Sequence, residues 1–148
     1  MPQSPPKAAL LASPDDVENQ FYEALREADI DKLMAIWADD EEVVCVHPGG
    51  PRLVGPAAVR AAFEAVFANG PIHVQPDKVR RVHALSAAMH SVIERVALNT
   101  PDGARTGWVI ATNVYLKTAQ GWRMVTHHAS PGTAQEPPEL VEAPTTLH

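Results

Sequence analysis

A single cysteine, Cys45, stands among the 148 residues, so no disulfide can form within the chain. Its setting in "EEVVCVHP" reads as a buried strand, not as an exposed, activated thiol. A reducing, cytoplasmic location is the expectation. Positive charge is also in short supply: twelve Lys and Arg face eighteen Asp and Glu, for a net charge of −6. The densest basic run, "KVRR" at 78–81, suits a solvated strand edge better than a phosphate track, and no nucleic-acid partner is expected. The amino-terminal "MPQSPPKAALLAS" offers one lysine and only "AALLA" as an apolar run, too short for a signal-peptide core or a membrane span, so no membrane association is expected either. Internal repeats are lacking. The glycines of "PGGP" lack the preceding strand, spacing and lysine of a phosphate loop. No dense zinc-type ligand spacing occurs, and neither metal nor cofactor is expected.

The length suits one domain that buries its own core. Proline-containing ends without apolar periodicity set residues 1–12 and 132–148 apart as flexible tails around a single domain at 13–131. Ser13, Pro14 and Asp16 read as a helix start, with Val17, Phe21, Leu25 and Ala28 on one face. A second helix fits "DIDKLMAIWADD", capped by Asp31, with Leu33, Ile36 and Trp37 together. "VVCVH" (43–47) predicts a buried strand, and "PGGPRLVGP" a turn-rich connection. A third helix spans about 56–69, with Val59, Phe63, Val66 and Phe67 periodic and "NG" closing it. "IHVQPDKVRRVHAL", "MHSVIERVALN", "RTGWVIATNVYLK" and "GWRMVTHHAS" then predict four strands with "NTPDGA" and "TAQG" as turns. Helices followed by an antiparallel meander make an α+β domain, a curved sheet wrapped over helices.

Pairing around "TAQG" places Lys117 opposite Trp122 and Asn113 opposite Thr126. One face then carries Asn113, Tyr115, Met124, Thr126 and His128, an apolar body with a polar end, as a ligand pocket needs. Tyr22 and Trp37 from the helices and His47 from the "HPGG" turn are candidates for the same pocket. The other face carries Trp108, Ile110, Val114, Arg123, Val125 and His127, and its apolar character points to the interface of a homodimer. Two consecutive strand residues cannot both hold one ion or substrate without a bulge, so "HH" reads as one pocket histidine, His128, and one interface histidine, His127. His128 is the best catalytic candidate, a general base. The "ER" pair at Glu94 reads as a solvated cross-strand ion pair, an inward carboxylate being the alternative.

"DIDKLMAIWADD", "VVCVHPGGPRLVGPAAVRAAF", "ATNVY" and "GWRMVTHHAS" resemble the SnoaL-like and ketosteroid-isomerase-like branch of the nuclear transport factor two superfamily. The last segment is also similar to the end of the calcium/calmodulin-dependent kinase II association domain. The resemblance covers roughly residues 14–131. It implies a cystatin-like conical α+β barrel with a pocket between sheet and helices and dimerisation through the outer sheet surface. Three functions follow as expectations: a protein that binds a small organic molecule, an isomerase or dehydratase using His128 as base, or an oligomerisation module.

Overall fold

A computed structural model describes residues 11–133; most of the two tail readings, over 1–10 and 134–148, lies outside the described residues. Leu11, assigned above to the tail, is buried in the core, and its carbonyl accepts from Trp122 N at 2.9 Å.

Helix α1 spans Pro14–Glu27 because Ser13 caps it: the hydroxyl accepts from Asp16 N at 3.1 Å, and Asp15 and Asp16 suit the positive end of the helix dipole. It ends at Ala28, whose φ of 52° is left-handed. That stop leaves Asp29 in extended backbone, the conformation of a cap residue. Helix α2, Ile30–Ala35, therefore starts from Asp29, which accepts from Lys32 N at 3.0 Å, and not from Asp31 as the sequence suggested. Strand β1 is Val44–Val46, and the expected connection after it contains a second strand, β2, Arg52–Val54, antiparallel to β1. Three residues are too few for an alternation to show in sequence. Helix α3, Pro56–Phe67, follows at once.

Strands β3 (Val74–His83), β4 (Ala87–Thr100), β5 (Gly103–Thr118) and β6 (Gly121–Pro131) form the antiparallel meander, and β1 joins β6 in parallel. The sheet runs β2-β1-β6-β5-β4-β3. It is curved and unclosed, an open version of the barrel expected. Phe21, Leu25, Leu33, Ile36, Val59 and Phe63 pack between the helices and the concave face. Burial of such side chains stabilises by about 1.5–3 kcal/mol each. No helix among the described residues is long and apolar enough to cross a membrane.

The β5–β6 hairpin starts in the register inferred from its turn, Lys117 opposite Trp122 and Tyr115 opposite Met124. It then slips. Between Val114 and Tyr115 the ladder shifts, so that Val114 faces Thr126, Asn113 faces His127 and Thr112 faces His128. Val125 is the extra residue of a β-bulge. The cause lies on the other edge of β6. Near Met124 that edge bonds to the backbone at Ile36 and Ala38, whereas from Thr126 onward it pairs with β1. A strand serving two neighbours that are out of phase must insert a residue between them.

Candidate active site

One inserted residue reverses every face assignment beyond it. His127 turns into the concavity, 5 % exposed, while His128 and Thr126 turn to the outer face beside Thr112 and Val114. The pocket histidine is His127, and the sequence placed His128 and Thr126 there only because it assumed an unbroken ladder. Val125 packs against the core instead of lining an outer interface, and Arg123 is buried with Nη1 donating to the Trp122 carbonyl at 2.8 Å.

On β4 the alternation Ala88, His90, Val92, Glu94 faces inward. Glu94 is 6 % exposed and is not a solvated ion pair. Its Oε2 accepts from the Tyr22 hydroxyl at 2.6 Å, Tyr22 accepts from Asn113 Nδ2 at 3.2 Å, and Asn113 Oδ1 lies 2.6 Å from His127 Nδ1. The directions follow from donor chemistry. Because the Asn113 NH2 group donates to Tyr22, its oxygen must accept from His127, which is therefore the Nδ1–H tautomer with Nε2 as acceptor. Every donor in this chain points toward the Glu94 carboxyl, and both sheet and α1 are needed to assemble it.

Burial pushes the Glu94 carboxyl up to about 7, aided by the nearby Glu18 charge and opposed by the Tyr22 hydrogen bond. Burial also drives His127 down to about 3, with His47 and His128 adding repulsion, so the ring is neutral. Tyr22 is raised well above its usual range, chiefly by burial and then by Glu94. A carboxyl that titrates near neutrality can both take and give a proton.

Glu94 and His127 border a cavity of about 160 Å³, walled by Leu25, Phe63, Val74 and Val96 and completed by His47. That is below the roughly 300–1,000 Å³ of drug-sized pockets, and its lining is largely apolar. His47 lines the cavity, its ring 4.8 Å from Phe63, and desolvation lowers its pKa. Tyr115 and Met124 are fully buried on the concave side. Tyr115 donates to Glu18 at 2.8 Å, and Met124 belongs to the core cluster. Trp37 lies away from this cavity, beside two clefts, one reaching Met34 and Arg60 and the other Thr118 and Arg123, and its Nε1 is the one buried side-chain polar atom without a partner among the described residues.

Sequence reasoning underrated Glu94 and missed Glu18. The available signal was the inward parity shared by His90, Val92 and Glu94, together with Glu18 and Tyr22 one helical turn apart on α1.

The profile of a SnoaL-like domain matches residues 15–134. Among solved structures, a candidate calcium/calmodulin-dependent protein kinase type II association domain from Thiobacillus denitrificans superposes with a TM-score of 0.76 at 36 % identity, over 84 % of this chain and 98 % of that one. A candidate dehydratase of the NTF2-like family from Streptomyces avermitilis gives 0.71 at 29 % identity, over 80 % and 93 %. A protein with a cystatin-like fold from Caulobacter vibrioides gives 0.70 at 16 % identity, over 81 % and 87 %, a likeness of fold alone. No curated protein shows significant similarity.

Proposed function

The chain belongs to the SnoaL-like domain family, and from that premise we propose that it binds a small, largely apolar organic molecule in the cone and moves a proton on it with Glu94. The observation that carries this reading is the Glu94 carboxyl, buried at the cavity wall, held by Tyr22 at 2.6 Å and titrating at about 7. An isomerase or dehydratase needs such a group to take a proton beside a carbonyl or hydroxyl and return one elsewhere. The neutral His127, its Nδ1–H held by Asn113, leaves Nε2 free to accept from a hydroxyl of the bound molecule, while the Tyr22 hydroxyl stays committed to Glu94. His128, exposed on the outer face, has no part in this step. Likeness to the Streptomyces avermitilis protein, described as a candidate dehydratase, supports the same class of chemistry.

Proton transfer can be read without knowing the substrate. A panel of small ketones and β-hydroxycarbonyl compounds in D2O, followed by NMR, should show protein-dependent exchange of α-hydrogens that falls by about 100-fold or more in Glu94→Gln. If compounds bind, shown by thermal shift, yet exchange is equal in wild type and Glu94→Gln, the protein is a binding module and the catalytic reading fails.

A further inference from the structure

A second polar cluster lies where the start of α1 crosses β3 and β4, apart from the residues assigned to proton transfer. Glu18 Oε2, itself buried, accepts from Tyr115 at 2.8 Å and pairs with His90 Nδ1 at 2.7 Å. The side chain of His90 has no solvent exposure. Its other nitrogen, Nε2, lies 2.9 Å from Nε2 of the exposed His83 and 3.9 Å from Asp15 Oδ1. The two rings lie 20° from parallel with centroids 5.1 Å apart. At that centroid separation a 2.9 Å contact between nitrogens is edge to edge. A hydrogen bond between them needs one protonated and one bare nitrogen, so the pair shares a single proton.

We propose that Asp15, His83 and His90 form a binding site for a divalent transition-metal ion of the zinc type. Two imidazole nitrogens favour zinc, cobalt, nickel or copper over magnesium and calcium, which prefer oxygen. Metal–ligand bonds of about 2.1 Å at tetrahedral angles put neighbouring ligand atoms about 3.4 Å apart. His90 Nε2 lies 2.9 Å from His83 and 3.9 Å from Asp15, on either side of that spacing, and the side chains of Asp15 and His83 are exposed and free to adjust around the fixed His90. Glu18 stands where a metal-ligating histidine needs its carboxylate, on the far ring nitrogen, fixing tautomer and orientation. Asp15 and His83 lie at the surface, which leaves a water-accessible fourth position. Arg81 Nε holds Asp15 Oδ1 at 2.9 Å, so the half-exposed carboxylate shares that oxygen or turns its other one to the ion. The head-on contact at 2.9 Å leaves no room for an ion, so the exposed His83 ring must swing aside to admit it; the ion then displaces the proton the two rings shared, and acid must therefore weaken binding.

The test uses tag-free protein stripped with chelator and titrated with zinc by calorimetry, and with cobalt by visible absorption, at pH 7.5 and 5.5. One equivalent per chain should bind with micromolar affinity or tighter, should weaken about tenfold or more at the lower pH, and should give the intense absorption of tetrahedral cobalt. His83→Gln and Asp15→Asn change exposed side chains, so they keep the wild-type circular dichroism while each loses about tenfold or more in affinity. Binding no tighter than about 100 μM, or undiminished in both variants, overturns the proposal. Proton exchange by the cone should persist in His83→Gln, which separates this site from the Glu94 reading.

Discussion

At the level of single residues, Glu94 shows how position sets chemistry. A carboxylate at this place in the sequence is indistinguishable from a surface one; burial, aided by the Glu18 charge, carries its pKa from 4.5 to about 7. The folded state therefore holds a proton that the unfolded state has lost between pH 4.5 and 7, and stability falls as pH rises through that window. A difference of that size corresponds to roughly 3 kcal/mol. His127 acts with the opposite dependence. Its pKa of about 3 against an ordinary 6.5 means that the unfolded chain takes up the proton first, so stability rises with pH between 3 and 6.5. Urea midpoints measured from pH 4 to 9 should show a maximum near pH 5–6 and a decline above it. In Glu94→Gln the decline disappears, and above pH 8 the variant should equal or exceed wild type by about 1–3 kcal/mol.

The element that matters most is the β5–β6 hairpin. Its turn was legible: "TAQG" specifies the first four cross-strand pairs, and Gly121 supplies the φ of 106° that closes it. A Cβ there would also sit 2.8 Å from the Leu11 carbonyl, the same oxygen that accepts from Trp122 N. Gly121→Ala is expected to cost about 2 kcal/mol or more, lowering Tm by about 4–8 °C in calorimetry. The rest of the hairpin was not legible. Whether Val125 bulges depends on backbone at Ile36, Ala38 and β1, eighty or more residues earlier in the chain, and nothing local in "RMVTHH" marks it. A single inserted residue therefore decided which histidine faces the cavity.

Across the whole molecule, one sheet face remains to be covered. Val82, Met89, Ile110 and Leu116 on the convex side are 37–63 % exposed, although strand residues of this kind are commonly buried. Trp108 and Val114 share the face; Val125 and His127 do not, because of the bulge. Self-association through this surface is the reading these residues support, and likeness to an association domain from Thiobacillus denitrificans accords with it. Light scattering should report a dimer or larger assembly at micromolar concentration. Leu116→Glu and Ile110→Glu should shift it to monomer while leaving the Glu94 site folded, as judged by the pH dependence above. A monomeric wild type would remove the idea.

The sequence by itself determined the fold class, because period-two and period-3.6 patterns, caps and turns are written in neighbouring residues. It located the starts of α1 and α3 and the four long strands, and it named Asn113 and Tyr22 as pocket candidates. Only the tertiary structure decided the chemistry. Glu94, Tyr22, Asn113 and His127 come from positions 22 to 127 and meet through packing, and the carboxyl acquires its near-neutral pKa from desolvation that no local pattern encodes. His83 and His90 meet through the β3–β4 hairpin, but Asp15 reaches them only when α1 crosses the sheet.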